Sequence, residues 1–232
     1  MIPARGGSKR IPRKNVKPFC GQPMIAWSIA AARDSGCFDR IIVSTDDDEI
    51  AEIAEAHGAD VPFRRPADLS NDHAPTVPVV AHAVRWQQAT ASVDYACCIY
   101  ATAPMLRAAD IRAGSLALQK TGGNYAFSVT SYAFPIQRAL MLDGQDRVAM
   151  FQPEFADTRS QDLIEAYHDA GQFYWGRTDA WLDGLPIFDA ASIAIRLPRK
   201  HVQDIDTLED WERAELMFEA IRADRNSNDI AA

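Results

Sequence analysis

The stretch Ala4-Arg5-Gly6-Gly7-Ser8-Lys9-Arg10, continued by Ile11-Pro12-Arg13-Lys14-Asn15, gathers positive charge around two glycines near the start of a 232-residue chain. Six of the 24 Lys and Arg residues lie in the first 17 positions, although the net charge of the whole chain is -8. Glycines let backbone N–H groups converge on an anion, and fixed cations add to the attraction. The stretch therefore predicts a loop that binds an anion with several phosphates. It matches neither the Walker A loop nor the dinucleotide-binding motif, and a solvated basic terminus is the alternative.

Outward from this loop, helix and strand signals alternate along the chain. Apolar spacing and capping residues predict helices over 23–35, 47–57, 76–89, 108–120 and 207–223. Apolar runs predict strands at 41–43, 61–63 and 95–100, and further strands follow at 125–130, 173–175 and 193–197. This order predicts an α/β fold, a mainly parallel sheet with helices on both faces.

Three details of this pattern bear on the architecture. Only Met1 and Ile2 precede Pro3, so the first strand is either very short or begins upstream of this numbering. A hairpin is predicted from residues 139–142 and 147–151, and the length fits one large domain or one domain with an insertion. Residues 226–232 are expected to be a disordered tail.

Composition narrows the function classes. The acidic balance argues against nucleic-acid binding, because the basic cluster is short and local. The sequence contains no run of 18 apolar residues, so no membrane span is expected. The four cysteines include no C-x-x-C pair, which favours reduced thiols in a cytoplasmic protein, and the adjacent Cys97 and Cys98 are expected on opposite faces of a strand.

A second candidate site precedes the last helix. In an extended segment, Asp204 and Asp206 project to the same side, ~7 Å apart, and can hold one hard cation such as Mg²⁺ with its waters. Alternatively, Asp206 helps to cap the helix and Asp204 is solvated. The presence of a predicted polyphosphate-binding loop elsewhere in the chain favours the metal site over the capping role. The acidic run at 46–49 is instead interpreted as the start of a helix, capped by Thr45 or Asp46.

Two further polar segments could contact a substrate. Residues 157–175 combine polar groups with an aromatic strand, and Arg159 could pair with a substrate carboxylate in a bidentate fork. His168, beside Asp169, could donate to a substrate, although a structural hydrogen bond is the commoner role for such a histidine. Arg65 follows a strand and could face the ligand crevice; a surface pair with Asp68 is the alternative.

Taken together, these residues resemble the CMP-sialic acid synthetase family, the cytidylyltransferases that activate acidic sugars. The segments that carry the resemblance are 3–9, 14–15, 38–46, 65–69, 102–104 and 204–207. The blocks 134–138, 158–162 and 167–175 look most like the branch that acts on pseudaminic acid. The chain departs from the sialic acid branch at 100–107, where that branch reads Gln-Pro-Thr-Ser-Pro-Leu-Arg, and at 169–171, where it reads Asn-Gly.

The resemblance implies a three-layer Rossmann-like nucleotidyltransferase fold. It also implies a single domain over 1–232 with a β-rich dimerisation and sugar-binding insertion at about 125–175. The reaction it implies joins CMP from CTP to a nonulosonic acid and releases pyrophosphate. The partners it implies are these two substrates, the Mg²⁺ cofactor and a second copy of the chain in a homodimer whose insertion reaches toward the partner's site.

The resemblance assigns roles by position. Arg5 and Lys9 would be catalytic, neutralising charge on the leaving pyrophosphate together with the amides of Gly6, Gly7 and Ser8. The residues placed against the nucleotide are Lys14, Asn15, Arg65, Thr76 and Thr102. Those placed against the sugar are Arg159, Gln161, His168 and Gln172, and those placed against the metal are Asp204 and Asp206. Two alternatives remain: the same reaction on sialic, legionaminic or 3-deoxyoctulosonic acid, and a non-catalytic nucleotide-binding module.

Overall fold

A computed structural model describes the backbone of residues 1–230 and the side chains of residues 1–224. The helices are α1 (Met24–Ser35), α2 (Asp48–Ala56), α3 (Thr76–Gln88), α4 (Ala108–Thr121), α5 (Thr178–Leu182) and α6 (Leu208–Ile230). The strands are β1 (Ile2–Pro3), β2 (Pro18–Phe19), β3 (Gln22–Pro23), β4 (Val43–Ser44), β5 (Tyr95–Ile99), β6 (Tyr125–Ser131), β7 (Leu140–Leu142), β8 (Val148–Met150), β9 (Tyr167–Arg177) and β10 (Ser192–Arg196). The predicted alternation of helices and strands is confirmed.

The central sheet is mainly parallel, and β1 lies within it. The two residues of β1 pair with β4 in parallel, and the flanking Met1 bonds to β5 on the other side through Cys97 and Ile99. The order then continues from β5 through β9 and β6 to β10. β9 runs antiparallel to both of its neighbours, whereas β10 and β6 are parallel. Because β1, β4 and β5 run the same way, their carboxyl ends meet at one edge of the sheet.

Helices cover both faces of the sheet, which gives the three predicted layers. On one face α1, α2 and α4 pack their apolar side chains against β1, β4, β5 and β9. On the other face α3 and α5 pack against β5, β6 and β9. Cys97 belongs to the first cluster and Cys98 to the second, so adjacent strand residues do point to opposite faces, as predicted.

A third apolar cluster brings the two ends of the chain together. α6 places Trp211 and Phe218 edge-on against Phe19. Ile11 of the basic loop and Ile205 are fully buried in the same cluster. Burial of these two side chains fixes residues 204–206 beside the basic loop, although nearly 200 positions separate them in sequence.

Element ends follow the sequence signals with a few differences. α1 and α4 stop at Gly36 and Gly122, both in the left-handed conformation that glycine adopts without steric cost. The cap of α2 is Asp47, whose side chain accepts the Ile50 N–H, rather than Thr45 or Asp46. Thr45 Oγ1 instead accepts the N–H of Asp47, outside the helix.

Two other boundaries differ as well. The expected strand at 61–63 is reduced to single bridges at positions 60 and 64. The helix predicted to end near 223 continues to 230, so the expected tail is wrong for 226–230, and positions 231 and 232 lie outside the described residues.

The chain leaves the central sheet between β6 and β9. The insertion expected at about 125–175 starts and ends within these two strands, and the part outside the sheet is residues 132–166, called here the 132–166 segment. It contains the antiparallel ribbon of β7 and β8, as the sequence predicts, together with short 3-10 turns. The described part of the chain contains no helix long and apolar enough to cross a membrane.

Candidate nucleotide-binding site

A cleft of about 520 Å³ opens at the carboxyl ends of β1 and β5. Open α/β sheets bind their ligands at this edge, because the loops that follow the strands converge there. The lining residues that the sequence singled out are Arg5, Ser8, Lys9, Lys14, Asn15, Arg65, Thr76, Thr102 and Asp206. Residues far apart in the chain therefore meet at one place.

The basic loop is held in shape by two anchors. Asn15 is buried and donates its side-chain N–H to the carbonyl oxygen of Arg5 at 2.9 Å. Arg13, in the left-handed region at φ 56°, forms a bidentate pair with Asp47, the cap of α2, with N–O distances of 2.5 and 3.0 Å. The acidic run at 46–49 thus fastens the loop to α2, a contact that sequence reasoning missed.

Gly6 permits the close approach of the loop to α2. A Cβ atom at Gly6 would lie 2.6 Å from Asp47 Oδ2, whereas one at Gly7 would meet nothing nearer than 3.8 Å. The Gly6 N–H donates to Asp46 Oδ1 at 3.1 Å, and the Ser8 N–H donates to the Gly6 carbonyl. The amide cradle expected from Gly6 to Ser8 is therefore not formed in this structure, because the amides of Gly6 and Ser8 are already bonded within the protein.

Aspartate side chains form ion pairs with the cations of the loop. Asp72 accepts hydrogen bonds from both Arg5 and Lys9, with a distance of 2.5 Å to Lys9. These partners, Lys9 first, lower the pKa of Asp72 to about 2. Across the cleft entrance, Asp206 pairs with Arg10 at 2.8 Å and with Lys14 at 3.4 Å. A polyanion entering the cleft would compete with both carboxylates for the same cations.

Arg65 is a buried cation that pairs with no carboxylate among residues 1–224. Its side chain is 7% exposed, and Nε and Nη2 have no hydrogen-bond partner among the residues whose side chains are described. Desolvation lowers the pKa of this guanidinium, and the charge of Asp46 only partly offsets the effect. An unpaired buried guanidinium is costly, so its position in the cleft lining favours a ligand that supplies acceptor atoms. The surface pair with Asp68, the alternative left open by the sequence, is not what the structure shows.

Asp204 and Asp206 flank the buried Ile205 in the segment beside the loop. Desolvation raises the pKa of Asp204, and the charge of Asp206 raises it further. Lys14 donates to the Ile205 carbonyl at 2.6 Å and so ties this segment to the loop. Two mutually repelling carboxylates beside a cation-rich cleft suit a divalent cation. Within the described residues no cluster of three or more His, Cys, Asp or Glu could hold a metal by itself, so any cation here would need ligands from the substrate.

The four residues expected to contact the sugar lie outside the cleft lining. Arg159 and Gln161 are exposed in the 132–166 segment, and Arg159 pairs with Asp162 at 2.7 Å. His168 stacks edge-on with Tyr132, and its Nδ1 lies 2.8 Å from the Asp169 carbonyl oxygen. Gln172 is buried and donates to the carbonyl oxygen of His201 at 2.6 Å. One chain thus does not bring these side chains to the nucleotide cleft.

The structure adds lining residues that the sequence reasoning did not select. Arg10 belonged to the basic cluster but received no role, and Tyr100 directly follows the central strand β5 at the ligand-binding edge. The position of Tyr100 was available as a signal, since it follows the most apolar strand. No sequence signal connects Asp72 with Arg5, because the contact spans 67 positions.

The fold and the cleft define a class: an α/β protein with a cation-rich ligand site at the carboxyl ends of parallel strands. The chain belongs to the cytidylyltransferase family, nucleotidyltransferases whose family model matches residues 1–174. The family expected from the sequence motifs is therefore confirmed.

Individual relatives agree with this assignment. A pseudaminic acid cytidylyltransferase of Campylobacter jejuni is 44% identical over 219 residues, which cover 94% of each chain. The CMP-N,N'-diacetyllegionaminic acid synthase of Legionella pneumophila is 30% identical over 225 residues, covering 94% of this chain and 95% of that protein. A solved structure of CMP:2-keto-3-deoxy-manno-octonic acid synthetase with CTP aligns with a TM-score of 0.69, over 94% of this chain and 97% of that chain. At 16% identity, this last match concerns the fold alone.

Proposed function

We propose that this enzyme transfers CMP from CTP to pseudaminic acid, releases pyrophosphate and supplies an activated sugar for surface glycan synthesis. The observation that carries the proposal is the convergence of the loop cations with the buried, unpartnered Arg65 in one cleft. Such a cleft fits a nucleoside triphosphate, which offers both negative charge and base acceptors. The identity to the Campylobacter jejuni protein supports the choice of sugar.

Arg5 and Lys9 are the residues that we assign to the leaving group. Attack of the sugar's anomeric hydroxyl oxygen on the α-phosphorus breaks the bond to pyrophosphate, whose negative charge grows as it departs. Fixed cations placed before the reaction stabilise that charge without reorganisation. Both side chains must first release Asp72, so substrate binding exchanges one anion for another.

We assign the nucleotide contacts to Lys14, Asn15, Arg65, Thr76 and Thr102. Asp204 and Asp206 would hold Mg²⁺, which neutralises triphosphate charge when it is bound. Release of Asp206 from Arg10 would then free that guanidinium for a phosphate oxygen. Release of Asp72 by the loop cations would thus prepare the loop for the triphosphate. Release of Asp206 by Arg10 would prepare the carboxylates for Mg²⁺.

The sugar contacts require a second copy of the chain in our proposal. Phe134, Leu142 and Ile164 of the 132–166 segment are 83%, 64% and 84% exposed. Exposed apolar side chains of this size favour an interaction surface on this segment, and a two-stranded ribbon such as β7–β8 is marginal in water by itself. We propose a homodimer in which this surface is buried and Arg159 and Gln161 reach the partner's cleft, while His168 and Gln172 orient the strand beneath.

The substrate is tested by incubating the enzyme with CTP, Mg²⁺ and each of four acids: pseudaminic, legionaminic, sialic and 3-deoxyoctulosonic acid. Pyrophosphate release and the CMP-sugar product are measured together. We expect the highest kcat/KM with pseudaminic acid. A higher value with another acid would move the assignment to that sugar, and no turnover with any acid would favour a non-catalytic nucleotide-binding module.

The reaction is proposed to take place in the cytoplasm, where CTP is made. All four cysteines are free thiols in the structure, which fits a reducing compartment.

A further inference from the structure

A buried glutamine joins the central sheet to the stretch that carries Asp204 and Asp206. Gln172, in β9, is 4% exposed, and its side-chain N–H donates to the carbonyl oxygen of His201 at 2.6 Å. Because a carbonyl oxygen can only accept, this contact determines which way the Gln172 amide points. The hydrogen bond holds the backbone three positions before Asp204.

Asp204 lies between two backbone carbonyl groups that side chains hold in place. The stretch that follows His201 forms neither helix nor strand before α6, so contacts with other parts of the molecule must fix its path. On one side of Asp204, Gln172 donates to the His201 carbonyl oxygen. On the other side, Lys14 donates to the carbonyl oxygen of Ile205 at 2.6 Å, and the Ile205 side chain is fully buried.

The backbone of Gln172 is fixed within the sheet. Its N–H donates to Ser128 Oγ of β6 at 3.3 Å, and its carbonyl oxygen accepts the N–H of Tyr100 at 2.9 Å. Tyr100 directly follows β5 and lines the nucleotide cleft. Gln172 therefore ties the carboxylate stretch to the same sheet edge that forms the cleft.

Fold stability gives little reason for a glutamine at this position. The Oε1 atom of Gln172 is buried and has no hydrogen-bond partner among the residues whose side chains are described. A buried acceptor without a partner costs at least as much free energy as a typical hydrogen bond contributes. The hydrogen bond to His201 therefore fits a positioning role better than a stabilising one.

We infer that Gln172 is a positioning residue, which holds the His201 carbonyl and thereby places the Asp204 carboxylate beside Asp206 to share one divalent cation. This inference rests on the proposed function and takes the place of the sugar contact that the resemblance implies for Gln172. Residues that orient metal ligands contribute to affinity, and their loss typically weakens metal binding by ~10-fold to 100-fold.

The variant Gln172→Met keeps the approximate volume of the side chain and removes its donor. Without a donor, the buried carbonyl of His201 is stabilised by turning toward water, and this movement displaces Asp204. We expect the affinity for CTP with Mg²⁺, divided by the affinity for CTP in EDTA, to fall by ~10-fold. The affinity in EDTA should stay constant, because the cations of the cleft are unchanged.

Thr130→Val is the matched control. Thr130 is also buried, and its hydroxyl donates at 2.9 Å to a carbonyl oxygen in the same connection between β10 and α6, that of Leu197. The Leu197 N–H is in turn bonded to the Val129 carbonyl oxygen at 2.7 Å, so loss of the hydroxyl should leave this backbone in place. Gln172→Asn, whose amide is one methylene too short to reach His201, serves as the test if Gln172→Met fails to fold.

Calorimetry without sugar measures the dissociation constants of CTP for the wild type and each variant, and urea unfolding shows which variants fold. The ratio should fall in the Gln172 variants and stay at the wild-type value in Thr130→Val. An unchanged ratio in a folded Gln172 variant, or an equal fall in Thr130→Val, would overturn the inference. So would a parallel loss of CTP affinity in EDTA, which would place Gln172 on the nucleotide, or a wild-type affinity for CTP that does not depend on Mg²⁺.

A direct sugar contact gives a different result. If Gln172 contacts the sugar, its substitution raises KM for the acid and leaves the Mg²⁺ dependence of CTP binding unchanged, which would also overturn the inference. Failure of the proposed function is a separate result, because it would appear as absent CMP-sugar formation by a wild type that still binds CTP in a Mg²⁺-dependent manner.

Discussion

The nucleotide cleft and the 132–166 segment differ in how far the side chains of one chain are packed around them. In the cleft, loop cations, Arg65 and Asp206 come from distant parts of the sequence and meet around one cavity. In the 132–166 segment, the predicted sugar ligands Arg159 and Gln161 are exposed, and large apolar side chains face solvent beside them. The central sheet positions the first region, whereas the second lacks a surface to pack against. We propose that a second copy of the chain supplies this surface.

The largest expected effect belongs to the cleft. Lys9→Ala should reduce kcat by more than ~100-fold, the scale of losing one preorganised donor to developing charge. Lys120→Ala, in the last turn of α4, is the control and should leave turnover unchanged. Steady-state pyrophosphate release measures both, and near-normal turnover of Lys9→Ala would remove this residue from the leaving-group site.

The next effect belongs to the 132–166 segment. Arg159→Ala should raise KM for the sugar acid by ~10-fold or more while KM for CTP stays constant, because a bidentate pair with a carboxylate is lost. Arg177→Ala is a matched control, since Arg177 also pairs with a nearby aspartate, Asp179, but lies at the end of β9. A parallel rise in KM for CTP would place Arg159 in the nucleotide site.

Substitution of Asp72 should strengthen CTP binding, whereas the two preceding substitutions impair the enzyme. Asp72→Asn removes the carboxylate that holds Arg5 and Lys9, so the Kd for CTP should fall by about 3-fold to 10-fold. Asp68→Asn, four positions earlier and without an ion pair to the loop, should leave it unchanged. Calorimetric titration distinguishes the two, and weaker CTP binding by Asp72→Asn would mean that Asp72 contacts the ligand instead of competing with it.

The smallest effect concerns the anchor of the loop. Arg13 holds the pKa of Asp47 below its ordinary value, so the pair stabilises the fold above that value and is lost as the pH falls through the lower, folded-state pKa. Asp47→Asn keeps a capping side chain and should reduce the free energy of unfolding by ~1 kcal/mol at neutral pH.

Urea unfolding at two pH values checks the sign of this effect. The difference from the wild type should shrink below about pH 3.8, where the unfolded carboxyl is protonated. A difference that is constant with pH would contradict the ion pair as the source of the effect.

The sequence predicts those parts of the molecule whose signals are local. Apolar spacing located the helices, and Gly36 and Gly122 marked where two of them stop. The loop and the Asp204–Asp206 pair were recognised as motifs, and burial of Ile11 and Ile205 in one cluster explains why they meet. The contacts of Asp72 with Arg5 and of Asp47 with Arg13 depend on folded geometry between distant positions, which no local pattern encodes.

The most direct test of the composite site mixes two impaired variants, at a sugar concentration well below KM, where Arg159→Ala is expected to be ~10-fold or more slower than the wild type. Lys9→Ala and Arg159→Ala chains are combined in equal amounts under conditions that exchange subunits, and CMP-sugar formation is measured. If Arg159 serves the partner's cleft, half of the dimers are mixed and each has one intact site, so activity should recover to about a quarter of the wild-type rate. If each chain builds its whole site, every site in the mixture carries one of the two substitutions, and activity that stays at the level of the separate variants would contradict the account.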